Sequence, residues 1–130
     1  MTVADTDVLI DFLAGVQPVA SKVAEELQTG KLHTTVITRF ELLSGARNTK
    51  QESKIKDLLT AIPALPLDEQ SADQAAGVRR KLERLGATIG MADSLIAGIV
   101  LLQDGILLTR NRRHFDRVHG LRLMNVESAG

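Results

Sequence analysis

Apolar positions along this chain change rhythm repeatedly between a period of two and a period near 3.6, which predicts alternating strands and helices. A short strand at Thr2–Ala4 leads into an amphipathic helix with Val8, Leu9, Phe12 and Leu13 on one face. A second helix is predicted from about Pro18, whose fixed φ suits a first helical position, to Gly30, a good stop. Leu32–Ile37 is rich in β-branched residues and reads as a strand. Thr38 then opens a helix ending near Asn48, and another follows around Gln51–Ala61. Leu65–Leu67 is a third strand, set between Pro63 and a helix start at Asp68. That long charged helix runs to about Leu85, where Gly86 ends it. Residues 91–103 form the most apolar helix, with Leu95, Ile96, Ile99, Val100 and Leu102 implying burial nearly all round. Ile106–Thr109 and Leu121–Asn125 supply a fourth and a fifth strand. No repeat, low-complexity segment or linker interrupts the alternation. The expectation is an α/β fold, a parallel sheet sandwiched between helices, in a single domain over residues 1–130.

Composition changes this picture little. The 130 residues are 44% hydrophobic and 25% charged, ordinary for a soluble globular domain with one core. Cysteine is absent, which excludes a disulfide framework and a thiolate zinc site. Asp5, Asp7 and Asp11 stand where a signal peptide needs basic and then apolar residues. The longest apolar stretch, Leu95–Leu102, is far too short to span a bilayer. A cytoplasmic protein without membrane contact is expected.

Net charge is zero, but its distribution is uneven. Residues 1–30 hold five acids against Lys22 alone, and residues 109–122 hold five arginines against Asp116 alone. Such runs serve equally as solvated faces or as a basic rim beside an acidic site, the latter suited to a polyanion. Trp and Tyr are absent and only Phe12, Phe40 and Phe115 remain, so an aromatic stacking platform is not expected.

Three acids mark the chemistry. Asp5, Glu41 and Asp93 are far apart in sequence, yet each falls where a strand hands over to a helix. In an open parallel sheet those handovers converge beyond the carboxyl ends of the strands. Carboxylates gathered there repel unless a cation lies between them, and hard divalent ions take oxygen ligands of this kind. Each acid also has a local explanation. Asp5 is a favoured helix N-cap, Thr38-x-x-Glu41 has capping-box spacing, and Asp93 in a first turn gains from the helix dipole. Capping explains each singly; a shared site explains all three, and the pattern points to a metal-dependent hydrolase.

Other chemistries find less support. His33, His114 and His119 lack metal-ligand spacing, and no nucleophile elbow, Walker loop or dinucleotide motif is present. Asp5-Thr6-Asp7 also suits a haloacid dehalogenase-like phosphatase with Asp5 as nucleophile, but that family needs a late lysine and the last here is Lys81. A non-catalytic RNA- or protein-binding module is the remaining alternative.

Four motifs in order make the reading specific. Asp5-Thr6-Asp7-Val8-Leu9-Ile10, Thr35-x-x-Thr38-Arg39-Phe40-Glu41-Leu42-Leu43-x-Gly45, Asp93-x-Leu95-Ile96-Ala97 and Leu108-Thr109-Arg110-Asn111-Arg112-x-His114-Phe115 together resemble PIN-domain ribonucleases. Within that family the chain is most similar to the VapC-type toxins of bacterial toxin–antitoxin pairs, over essentially its whole length.

The resemblance implies a three-layer α/β/α PIN-like domain with a short, about five-stranded parallel sheet and an acidic cavity for Mg2+ or Mn2+. It places Asp5, Glu41 and Asp93 on the family's dependable acidic positions. Where many relatives carry a fourth acid this chain has Asn111, with Asp116 as the substitute. Thr6 and Thr109 are hydroxyls that hold the carboxylates from behind, and Asp7 is assigned to helix capping ahead of metal binding. Arg110, Arg112 and Arg113 are assigned to flanking RNA phosphates. The implied activity is metal-assisted hydrolysis of RNA phosphodiesters, with tRNA a candidate target. The implied partners are a VapB-type antitoxin and a second copy of the chain. The apolar face of the first helix and the helix after Asn48 are the surfaces proposed for them.

Overall fold

Five short strands carry the architecture: β1 (Thr2–Ala4), β2 (Leu32–Thr35), β3 (Ala64–Leu65), β4 (Ile106–Leu108) and β5 (Arg122–Met124). In the computed structural model, which describes residues 1–126, they form one parallel sheet in the order β3-β2-β1-β4-β5. Thr2 pairs with Leu32 on one side and with Ile106 on the other, so β1 is central. The helices between are α1 (Thr6–Ala14), α2 (Val19–Gln28), α3 (Val36–Ser44), α4 (Thr49–Ala61), α5 (Glu69–Arg84), α6 (Met91–Leu102) and α7 (Arg112–Phe115).

Side chains alternate across a strand, and here the alternation divides the core in two. Ala4 and Leu108 face one layer, where Val8, Leu9, Val23, Leu42, Ile55 and Leu59 pack from α1 to α4. Val3 and Leu107 face the other, against Leu82, Ile96, Ile99, Val100 and Phe115 from α5, α6 and α7. The expected α/β/α sandwich is therefore present. Each fully buried Leu, Ile or Phe contributes roughly 1.5–3 kcal/mol. No helix among the described residues is long and apolar enough to cross a membrane.

One glycine marks a close approach between α5 and α6. A Cβ added at Gly98 would lie 2.6 Å from the Ala75 nitrogen and 2.7 Å from the Ser71 carbonyl oxygen. Only glycine allows that backbone contact. At the other end of α5, Gly86 takes φ +68°, the left-handed turn that sequence anticipated as a stop.

Several boundaries differ from expectation for local reasons. The strand after Gly30 ends at Thr35, because the Thr35 hydroxyl accepts from the Thr38 N–H at 3.1 Å and caps a helix that begins at Val36. The Thr38-x-x-Glu41 capping box does not form. Asn48 is not the end of α3 but the cap of α4, its side chain accepting from Gln51 N–H at 2.8 Å. Pro18 occupies the N-cap of α2 rather than its first helical position. The third strand is Ala64–Leu65 rather than Leu65–Leu67, and α7 was not anticipated.

Candidate active site

β1, β2 and β3 progress toward one edge of the sheet, and β4 and β5 toward the other. The chain therefore reverses its direction of growth at β1 and β4, and a crevice opens beyond their carboxyl ends. Asp5 follows β1 and Thr109 follows β4 at this point, while Thr35 ends β2 on the neighbouring side.

Asp5 is 3% exposed. Its N–H donates to the Leu108 carbonyl at 2.9 Å, extending the sheet by one residue. As N-cap of α1 it accepts the Thr6 N–H on Oδ1 at 2.8 Å. Thr109 Oγ1 donates to its Oδ2 at 2.7 Å. Its carboxyl is raised from 3.8 to about 6, chiefly by burial and then by the Asp7 carboxylate, with a smaller push from Asp93, while the hydrogen bonds from Thr109 and Thr6 oppose the rise.

Glu41 reaches the same crevice from α3. Thr6 Oγ1 lies 2.6 Å from Glu41 Oε1 and 3.0 Å from Thr38 Oγ1, which is in turn 3.4 Å from Thr35 Oγ1. A hydroxyl has one proton and a carboxylate only accepts. The order that follows is Thr38 donating to Thr6 and Thr6 donating to Glu41. Thr38, fully buried, is thus a support for the site. Its helix-start reading concealed this, although a buried threonine beside an acid motif was the available signal.

Asp93 lies in the first turn of α6, as expected, but α6 follows α5 and a loop rather than a strand, so the expected strand–helix handover is absent there. His114 Nδ1 stands 2.7 Å from its Oδ2, and since the carboxylate accepts, that ring nitrogen carries the hydrogen. His114 had no role from sequence spacing; the structure gives it one as the partner of an acid 21 residues away.

Asp7 is not the cap of α1. It sits in the first turn, where its Oδ2 accepts the Arg110 N–H at 3.1 Å. Its Oδ1 is the one buried side-chain oxygen or nitrogen among the described residues with no hydrogen-bond partner. Burial raises its carboxyl as well. Arg110, expected on RNA, pairs instead with Asp11: Nε to Oδ2 is 2.6 Å. Arg112 donates to the Met124 carbonyl at 3.4 Å. Arg113 has no ion-pair partner among the described residues. Asn111 donates its N–H to Thr109 Oγ1 at 3.0 Å, and its side chain makes no capping bond. Asp116 lies at the far end of α7, exposed.

The carboxylates meet hydroxyls and an imidazole rather than one another. No three His, Cys, Asp or Glu side chains among the described residues converge as a ready metal cage. The donor chemistry nevertheless fits a hard divalent cation: all oxygen, one buried Asp7 oxygen unpartnered, and Asp5 raised by burial and then by neighbouring carboxylates, whose repulsion a cation would reverse.

Beside Glu41 a groove of about 560 Å3 runs between α1, α3 and α4. Leu42 and Ile55 line it as buried apolar residues with Ile10 and Leu13 beside them, and Arg47, Lys50 and Lys54 add its cationic lining.

Comparison with known proteins agrees with this architecture. The PIN domain family matches residues 2–121. The tRNA(fMet)-specific endonuclease VapC of Shigella flexneri is 30% identical over 122 residues, covering 91% of this chain and 92% of that protein. Ribonuclease VapC10 of Mycobacterium tuberculosis is 33% identical over 115 residues, covering 88% and 86%. The solved VapBC-1 from nontypeable Haemophilus influenzae superposes with a TM-score of 0.81 at 26% identity, over 96% of this chain and 97% of that one. DNA-bound VapBC from Salmonella typhimurium, at 22% identity and a TM-score of 0.82 over 96% and 97%, shares the fold. The acid-lined switch point, the sheet order and these likenesses agree, and the chain belongs to the PIN-domain family, within its VapC group.

Proposed function

We propose that this chain is a divalent-metal-dependent endoribonuclease, a single domain over residues 1–130 that acts as the toxin of a VapBC-type pair, with Mg2+ as its ion and Mn2+ as a substitute. The observation that carries this furthest is the position of Asp5, buried at the switch point with a hydroxyl on one oxygen and an amide on the other, in the crevice that Glu41 also enters.

Asp5 and Asp93 would hold the ion, with Glu41 and the side chain of Asn111 completing the set. Bound there, it would supply Lewis-acid neutralisation of charge on the phosphoryl oxygens and acidify a water. Thr109 keeps Asp5 ionised and aimed. His114 aims Asp93 through its Oδ2, leaving Oδ1 for the ion. Glu41, held on one oxygen by Thr6, offers its second oxygen either to the ion or to the attacking water. The relatives' names make RNA the substrate, and tRNA its candidate class.

Phosphate contacts come from Arg113 and from the groove-lining Arg47, Lys50 and Lys54, none of which has an ion-pair partner among the described residues. The groove's apolar lining and its opening beside Glu41 suit a VapB-type antitoxin segment, which would compete with RNA there. The helix after Asn48 therefore supplies a partner surface, whereas Val8 and Leu9 of α1 are core. Phe40 and Met91, 70% and 64% exposed, are surfaces for a second copy.

The phosphatase alternative needs Asp7 as a mobile proton donor. Its Oδ2 is tied to the Arg110 amide and its Oδ1 is buried, which does not suit that task.

The test is cleavage of total RNA by purified protein with Mg2+ or Mn2+, against EDTA and against folded Asp5→Asn and Asp93→Asn variants. Metal-dependent products lost in both variants are expected. Intact RNA with inhibitor-free wild-type protein would sink the nuclease reading and leave the binding module.

A further inference from the structure

Arg110 is gripped twice by α1. Its N–H donates to Asp7 Oδ2 at 3.1 Å, and its Nε meets Asp11 Oδ2 at 2.6 Å. Asp7 and Asp11 are four residues apart on one helix and so share a face. The Asp11 side chain is 12% exposed, while that of Arg110 is 50% exposed and reaches in from solvent. A nearly buried carboxylate needs a partner, and this contact has the short length of a charge-assisted bond.

The residues on either side of Arg110 end on one hydroxyl. Thr109 Oγ1 donates to Asp5 Oδ2 and accepts the Asn111 N–H at 3.0 Å. Three consecutive residues, 109 to 111, are thereby fastened to α1 and its cap. The same segment runs on into α7, where His114 pairs with Asp93 and Phe115 is fully buried. One short stretch of chain thus brings partners to two of the three acids.

We propose that Arg110 is a positioning residue and not a phosphate contact: the Asp7–Arg110–Asp11 clamp fixes segment 109–111 and so sets the Thr109 hydroxyl on Asp5. An RNA phosphate that drew this guanidinium away from α1 would leave a nearly buried Asp11 carboxylate alone. The consequences for turnover rest on the ribonuclease reading; the clamp itself does not.

The two roles give Asp11→Asn opposite signs. A clamp predicts that Asp11→Asn and Arg110→Ala each lower kcat roughly 10- to 100-fold with KM and salt dependence unchanged. The double variant should be no worse than either single one, and Arg110→Lys should recover part of the loss. A phosphate contact predicts the reverse: Asp11→Asn frees the arginine and tightens RNA binding, while Arg110→Ala raises KM and flattens the salt slope by about 0.7. That second pattern overturns the proposal. Hydrogen exchange supplies a readout independent of activity. In Asp11→Asn the Asn111 amide should exchange faster while α5 and α6 amides keep their wild-type rates; an unchanged Asn111 rate also overturns it. Should wild-type protein leave RNA intact, the nuclease reading falls and the exchange data still decide the clamp.

Discussion

Thr109 Oγ1 meets Asp5 Oδ2 at 2.7 Å, joining residues 104 apart in the sequence at the ends of two adjacent parallel strands. The bond favours the ionised form of a carboxyl that burial and the Asp7 charge push the other way. Sheet order makes this possible, since β4 returns beside β1 after the chain has built the opposite edge.

Thr109→Val should therefore raise the Asp5 carboxyl beyond about 6. The acid limb of the pH–rate profile, measured at saturating metal, should move to higher pH. Turnover at neutral pH should fall roughly 10- to 100-fold. Thr109→Ser should stay near wild type. An unmoved acid limb in Thr109→Val would remove the hydroxyl from the mechanism.

The same group makes a prediction for stability. The Asp5 carboxyl lies at about 6 in the folded chain against 3.8 ordinarily, so the native state holds its proton more tightly than the unfolded state does. Ionised Asp5 thus destabilises the fold. The cost is absent below the ordinary value, grows through the interval and is full above about 6, where it is roughly 3 kcal/mol. In EDTA at neutral pH, Asp5→Asn should melt several degrees above wild type, with the gap closing toward pH 4. Added Mg2+ should narrow it by stabilising wild type alone. Thermal melts across pH check the sign, and a variant less stable than wild type at neutral pH would contradict it.

Much of this was legible in the sequence because parallel α/β topology converts strand–helix handovers into neighbours. Asp5 could be placed at such a handover without coordinates, whereas Glu41 lies in the second turn of α3 and α6, which carries Asp93, follows α5 and not a strand. What could not be read were bonds between distant segments. The basic run at 109–122 looks like a rim for polyanions, yet Arg110 answers Asp11 on the acidic first helix. Thr38 reads as the helix start and Thr35 as strand, yet it is the Thr35 hydroxyl that takes the Thr38 amide and caps α3. Val36 and Ile37, β-branched and strand-like in isolation, were drawn into α3 by that cap. His114 pairs with Asp93 only because α7, a helix of four residues, turns it back over the crevice.

Gly98 tests the packing behind the site. Asp93 starts α6, and the helix is held to α5 by a backbone approach that leaves no room for a methyl group at residue 98. The nearest atoms are the Ala75 nitrogen and Cβ and the Ser71 oxygen, none of which can move aside as the end of a flexible side chain would. Gly98→Ala should destabilise the protein by roughly 1–3 kcal/mol despite alanine's better helix propensity. Denaturant unfolding checks this, and a neutral or stabilised variant would mean that α5 and α6 can separate cheaply.

The last prediction concerns where RNA lies. Lys50 and Lys54 are one turn apart on α4, lining the groove that opens at Glu41. Lys56 of the same helix is paired with Glu52, and so serves as the control. If the groove guides the strand to the acids, Lys50→Ala with Lys54→Ala removes two phosphate contacts. The slope of log affinity against log salt should then flatten by about 1.4, at roughly 0.7 per contact for a single strand. KM should rise while kcat holds, because neither lysine touches the carboxylates. Lys56→Ala should change neither. An unaltered slope in the double variant would move the RNA path off α4 and toward Arg113 on α7.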